Sequence, residues 1–289
     1  MKRIKSGWQL TKKSWGILSD EPGLVKFPIV GGVIALLIAI VLIAPGLYFL
    51  EADPVALGVV LVAVGTYLSA FVVYYFAVAL AHNADRRMQG EQVEFKDGMA
   101  LASSRMSAIA GWAFIATVVM TVIRAIQERF GIAGAILGGL AGAAWGVLSF
   151  LAVPVIAIEG TGPISTLKRC GNLVKSGWGE QITGTIAIGG IVFLLGFLPA
   201  VLFIIAGVFI FSTTAAGGGI LIAFGIVVLV VAALIQQALS TIFGVALYRW
   251  VSDKQAVGGF TAEEMQSAVR TKKGSLGGPG MPPTSASTV

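Results

Sequence analysis

Few residues in this chain have the chemistry for catalysis, and their spacing points away from it. His82 is the sole histidine and Cys170 the sole cysteine. One imidazole beside Asn83 and Asp85 is a poor metal site, because zinc sites draw on several converging ligands. One thiol can form neither an intrachain disulfide nor a cysteine cluster. Glu159, followed by Gly160 and Pro163, suits a turn rather than a general base. Arg124 and Glu128 stand four apart, the spacing of an exposed helical ion pair worth roughly 0.3–0.5 kcal/mol. Gly217-Gly-Gly219 lacks the lysine and hydroxyl of a phosphate loop, and no nicotinamide fingerprint or zinc motif occurs. Gln236, Gln237, Ser240 and Thr241 form a polar cluster within apolar surroundings, read first as interhelical hydrogen bonding and alternatively as the wall of a substrate path. The expectation is a protein without catalytic residues, metal or cofactor, and not an enzyme.

The elements around these residues belong to a membrane. Between Glu180 and Arg249 no residue is charged. The chain is 56% apolar and 12% charged, with mean hydropathy +0.90, where soluble domains carry about 25% charged residues. A helix needs about 20 apolar residues to cross hydrocarbon, which places spans at about 28–50, 55–82, 106–127, 131–157, 182–211 and 219–250. Ser212 to Gly219 is the expected break between the last two. The fold class is therefore an all-α membrane protein of six transmembrane helices arranged as three hairpins. Residues 1–27 form an amphipathic segment, 28–250 the transmembrane domain and 251–289 a tail. In that tail Thr261-Ala-Glu-Glu264 reads as a capping box opening a short helix to about Arg270, and the Gly, Pro and Ser-rich remainder reads as disordered.

The basic residues orient the bundle. The net charge is +6, yet the cations flank apolar runs, which indicates anionic lipid rather than nucleic acid as partner. With six spans the N-terminal lysines, Arg86, Arg87, Lys96, Arg105, Lys168, Arg169, Lys175 and the tail share one side, and the other side holds Arg124 and Arg129. That asymmetry predicts an inner-membrane protein with both termini cytoplasmic. Lys5, Lys12, Lys13, Lys168, Arg169 and Lys175 are the candidate lipid-headgroup ligands.

Each odd span is preceded by an amphipathic stretch. Ile4, Trp8, Thr11, Trp15 and Leu18 make one helical stripe, Phe95, Met99, Ala102, Met106 and Ile109 a second, and Ile164, Leu167, Val174 and Trp178 a third, each expected to lie in the membrane interface. Leu10-Thr-Lys-Lys-Ser-Trp15-Gly and Leu173-Val-Lys-Ser-Gly-Trp178-Gly share their spacing, which predicts three copies of one unit. Gly134, Gly138, Gly142 and Gly146 recur every four residues in span four. They read as a packing seam, either within the chain or between copies in a homo-oligomer.

Asp20-Glu-Pro-Gly-Leu-Val-Lys-Phe-Pro28, Val153-Pro-Val-Ile-Ala-Ile-Glu-Gly-Thr-Gly-Pro163 with Leu167-Lys-Arg and Trp178-Gly, and Ala246-Leu-Tyr-Arg249 together resemble an uncharacterised group of six-span prokaryotic membrane proteins. That group is distantly similar to the membrane domain attached to some glycerophosphodiester phosphodiesterases. The resemblance covers about residues 5 to 252 and implies an architecture, with no catalytic residue carried over. The functional expectation is a structural or organising protein that self-associates or binds lipid or partner proteins at the cytoplasmic leaflet. The alternative is a transporter or channel for an uncharged or lipid-like molecule.

Overall fold

Lipid offers the backbone no hydrogen-bond partner, so a chain this apolar satisfies its own N–H and C=O groups within helices or a closed barrel. Here they are satisfied within helices. A computed structural model describes residues 2–175, 192–211, 213–262 and 265, with side chains from Gln9 onward. Among the described residues six helices are long and apolar enough to cross a membrane: span one Pro22–Glu51, span two Val55–Met88, span three Met106–Arg129, span four Gly131–Glu159, span five Phe193–Phe211 and span six Ala215–Asp253. Three shorter helices alternate with the hairpins: Lys2–Asp20 before span one, Phe95–Ser104 before span three and Pro163–Leu173 after span four. The expected beginning of span five at 182–191, Trp178, the side chains of Ile4, Lys5 and Trp8, and most of the expected 261–270 helix lie outside the described residues. At the start of that last helix, the Met265 N–H donates to the Thr261 carbonyl at 3.0 Å.

Spans one and five are built alike. A π-helical turn over Ala39–Ile43 precedes Pro45, and another over Phe193–Phe197 precedes Pro199. Proline in a helix lacks an N–H, and its ring presses on the carbonyl one turn back. A widened turn just ahead of it moves that carbonyl aside, so each helix continues instead of breaking. The hairpins close on glycine. A Cβ on Gly58 would lie 2.8 Å from the Gly46 carbonyl, and one on Gly65 would lie 2.7 Å from Ile43. In the third hairpin a Cβ on Gly218 would lie 2.6 Å from the Gly207 carbonyl, and one on Gly225 would lie 2.9 Å from the Ala200 carbonyl. Gly46, Gly58 and Gly65 thus do in hairpin one what Gly207, Gly218 and Gly225 do in hairpin three.

This pairing corrects the expected break. Ala215 to Gly219 are not loop but the first turn of span six. The reversal is confined to the residues just before it, where the N–H groups of Thr213 and Thr214 both donate to the Ile210 carbonyl at 2.9 Å. Of the glycines in that run, Gly218 is the one whose missing side chain lets Phe211 and Gly207 of span five approach.

The even spans form the axis. Spans two, four and six each touch the other two, and their buried runs lie at one end, over Phe76–Ala81, Leu151–Ala157 and Thr241–Tyr248. Fully buried Leu80, Ile156 and Ile242 belong to one continuous apolar core. The Trp112 and Trp145 rings stack at 5.5 Å, joining spans three and four, and Tyr74 meets Trp112 edge-on. Farther from this end the spans turn large side chains outward, among them Ile132, Leu140, Phe209 and Ile220, as lipid solvation permits.

Each short helix divides its large apolar residues between the bundle and the surroundings. In the N-terminal helix Leu10, Thr11, Ser14 and Leu18 are buried, whereas Trp15 is 48% exposed. Gly98 and Ala102 bury the second helix, with Met106 outside. Thr166, Cys170 and Leu173 bury the third, with Ile164 outside. Small and polar residues allow close approach to the bundle, joined in the second helix by Phe95, whose ring stacks on Phe27 at 4.6 Å. The stripes expected to lie in the interface are thus split: Thr11, Leu18, Ala102 and Ile109 are buried against the bundle, and Trp15, Met106 and Ile164 point outward.

Candidate functional site at the basic end of the bundle

The last turns of the even spans converge on one ionic network. Near its end span six carries Tyr248 and Arg249, adjacent residues whose side chains reach two different hairpins. Arg249 donates from Nε to Asp85 Oδ1 at 2.8 Å and from Nη2 to Asp85 Oδ2 at 2.6 Å, and its Nη1 reaches Asp253 Oδ2 at 3.1 Å. Gln89 Nε2 also donates to Asp85, at 3.0 Å. This two-pronged guanidinium–carboxylate geometry is the strongest form of the pair. The Asp85 side chain is only 8% exposed. Tyr248 donates from its hydroxyl to Glu159 Oε1 at 2.5 Å, and Arg169 Nε donates to the same oxygen at 2.7 Å. That bond to Glu159 holds the Arg169 guanidinium above its ordinary pKa. Next to it, burial pushes the Cys170 thiol up to about 12, with Glu159 adding to the effect.

Neighbouring loops are fixed to the same end. Asn83 Nδ2 donates to the Glu94 carbonyl at 2.8 Å, and Glu94 and Asp97 form a reciprocal cap that starts the second short helix. Tyr75 binds that helix through Met99 O and Ser103 Oγ. Gly160 has φ +66°, and a Cβ there would strike the Arg105 guanidinium, so Arg105 lies across the turn that leaves span four.

The chain after span six returns to the N-terminal helix. Lys13 Nζ donates to the Gly259 carbonyl at 2.7 Å. Phe260 is buried edge-on against Phe243, with ring centroids 6.4 Å apart. Gly258, at φ +64°, lies against Met88 and Ile17, where a Cβ would approach to 2.7 Å. Both ends of the described chain are thus joined at the face that carries the ionic network. Beside the N-terminal helix two apolar crevices of about 370 and 340 Å³ open on the surface of the bundle. They share Trp15 and Ile235.

The residues singled out from sequence fare differently. Lys12, Lys168 and Lys175 have exposed side chains. Lys13 and Arg169 do not stand free for headgroups, since each is engaged by the protein. Gly134 and Gly138 pack within the chain, on Ile126, Phe130 and Gln127 of hairpin two, whereas nothing stands within 4 Å of a Cβ on Gly142 or Gly146. Gln236 donates to Ser240 and Thr241 to the Gln237 carbonyl, so these bonds run along span six instead of between helices. Gln236 Oε1 is buried without a hydrogen-bond partner. Arg124 and Glu128 are both exposed, and no ion pair joins them, because ordering two long side chains in water cancels so weak an attraction. His82 is half-buried within span two. Among the described residues no group of three His, Cys, Asp or Glu is placed to hold a metal. Sequence reading missed the Asp85–Arg249 and Glu159–Tyr248 links. Their signal was a lone carboxylate at the basic end of each earlier even span and a Tyr-Arg pair at the end of the last.

No curated protein and no solved structure matches this chain, so the resemblance to the phosphodiesterase membrane domain finds no support there. Residues 60–259, which take in most of span two, spans three to six and the entire ionic network, match a family of unknown function (DUF6159), and the chain belongs to that family.

Proposed function

We propose that this protein is a non-enzymatic organiser of the cell membrane, resident in the inner membrane with both termini cytoplasmic, which gathers anionic lipid at the cytoplasmic leaflet. One observation carries the reading: the ionic network closes the basic end of the bundle while Lys12, Lys168 and Lys175 remain exposed around it. Cations held at a membrane face each attract anionic lipid by about 1 kcal/mol. The filled junction of Leu80, Ile156 and Ile242 favours a scaffold over a conduit. Native mass spectrometry of protein extracted with its lipids tests this. The Lys12, Lys168 and Lys175→Gln triple variant should retain markedly less phosphatidylglycerol, and equal retention would reject the reading.

A second reading, a transporter or channel for an uncharged or lipid-like molecule, is favoured by the unpartnered Gln236 Oε1. Scrambling or solute flux in liposomes, lost on Gln236→Leu, would support it.

A further inference from the structure

We propose that the paired crevices beside the N-terminal helix are a binding site for one anionic diacyl glycerophospholipid, with Trp15 wedged between its acyl chains and Lys12 on its phosphate. The inference rests on the lipid-organising reading and names the ligand and the place. The first crevice is floored by Gly196 and Ala232, which pack so closely that a Cβ on Gly196 would lie 2.6 Å from that of Ala232. The missing side-chain bulk leaves a trough between spans five and six, walled by Leu195 and Ile235 and roofed by Thr11, Lys12 and Trp15. On the far side of Trp15 the second crevice runs between Pro22 and Ile29 of span one and Val231 and Leu234 of span six. Two apolar lanes therefore lie side by side beneath one helix, as two acyl chains lie beneath one headgroup.

The polar groups sit where a headgroup would. Lys12 lines the rim of the first lane and Ser19 that of the second. Lys12 is exposed and, among the described residues, has no protein partner, unlike Lys13, whose ammonium is held by Gly259. An ammonium has three donors and no acceptor, so it complements a phosphate. With no carboxylate lining either lane, net charge favours an anionic headgroup over a zwitterionic one. Trp15, half-exposed with an amphipathic ring, belongs at the water–hydrocarbon boundary. Its half-exposed ring stands between the two crevices, where acyl chains in both would flank it.

The test uses the full chain in phosphatidylcholine vesicles containing phosphatidylglycerol with a photoactivatable diazirine in one acyl chain. Crosslinks should concentrate on peptides carrying Trp15, Leu195 and Ile235, and unlabelled phosphatidylglycerol should compete whereas added phosphatidylcholine should not. Lys12→Gln should lower the crosslinking yield about fivefold. Ala232→Phe, which fills the first trough, should abolish crosslinking at Leu195. A Lys254→Gln control, at the same face but away from the crevices, should change nothing. Should Ala232→Phe unfold the chain, the competition and Lys12→Gln arms still decide. Crosslinks spread evenly over all spans, equal competition by phosphatidylcholine, or crosslinks from one copy to another would each overturn the site. If lipid retention by mass spectrometry still depends on the lysines in that case, the organising reading survives without this site.

Discussion

Arg249 grips both carboxylate oxygens of Asp85, at 2.8 and 2.6 Å, across a separation of 164 positions in the chain. Removing one partner of a largely buried pair strands the other charge, which costs about 3–5 kcal/mol. Because Arg249 keeps a fifth of its side chain in solvent, the lower end of that range applies. Arg249→Ala should therefore lower the thermal stability of the detergent-solubilised protein substantially. Arg249→Lys should recover less than half, since an ammonium cannot bridge two oxygens in one plane. The Asp85→Leu, Arg249→Met double variant should be much closer to the parent than either single apolar variant. If the two single losses simply add, the residues do not act as a pair.

The hairpin glycines should tolerate no side chain. A Cβ on Gly218 would lie 2.5 Å from the Phe211 backbone, and backbone cannot move aside as a flexible side chain can. Gly218→Ala and Gly58→Ala should each destabilise by about 1–3 kcal/mol from overpacking, read as a lower unfolding temperature by tryptophan fluorescence. Gly138→Leu should disrupt hairpin two by colliding with Gln127. Gly142→Leu and Gly146→Leu, with open space before them, should leave monomer stability near the parent value. Size-exclusion chromatography with light scattering on the last two variants then reports whether this stripe joins copies of the chain.

These contrasts mark how far the sequence could be read. Spans, hairpins and the basic face follow from charge-free runs and cation placement, because the cost of burying charge in hydrocarbon is written residue by residue. The stripe Gly134 to Gly146 drew attention through its period on one helix, yet only half of it meets protein. The working seams pair Gly58 and Gly65 of span two with span one, and Gly218 and Gly225 of span six with span five, a seven-residue spacing that does not name its partner helix. The short helices were legible only in part, since Thr11, Leu18, Ala102 and Ile109 of the stripes expected in the interface are buried against the bundle. Large apolar residues mark the face of a soluble helix that meets protein, but in a membrane Trp15 and Ile164 satisfy themselves against lipid, and Ser14 and Thr166 face the bundle. Asp85 and Arg249 carried no local signature of each other.

Cys170 offers a test of packing by reactivity. The thiolate is the nucleophile, and burial disfavours that charged form, raising the pKa to about 12. At pH 7 to 9 the folded protein should therefore resist maleimide over hours, and it should label completely after unfolding in dodecyl sulfate. Glu159→Gln, which removes the bond to Arg169 and a charge beside the thiol, should loosen the third short helix and make Cys170 reactive. Rapid labelling of the parent protein would show that Pro163–Leu173 does not dock as described.

The returning segment should stabilise the N-terminal helix. Phe260 is buried against Phe243, and the Lys13 bond ties the segment to the helix. Phe260→Ala should cost about 3 kcal/mol if the site stays rigid, since it leaves an aromatic-sized void. Hydrogen exchange gives the sharper readout: amides of residues 9–20 should exchange faster in Phe260→Ala while those of span three do not change. Uniform acceleration across both would mean the substitution lowers global stability without a specific link to the N-terminal helix.

Orientation rests on charge, and the structure shows where to probe it. The native cysteine is a poor reporter because its thiol is buried, which also means that it need not be removed. Gly90, at the exposed loop after span two with φ +88°, and Asn172, exposed on the third short helix, belong to the face that holds the ionic network. Ile132 is 84% exposed at the opposite end. The proposed orientation, with the lysine-rich ends inside, predicts that a membrane-impermeant maleimide added to intact cells will modify Ile132→Cys and leave Asn172→Cys untouched until the membrane is permeabilised. The glycine at 90 occupies a left-handed turn that a cysteine would strain, so Asn172 is the better first probe and Gln89→Cys its independent check. Labelling of either from outside would place the basic face, the lysine-rimmed crevices and any lipid they hold on the opposite leaflet from the one proposed, while the bundle and its ionic network would stand unchanged.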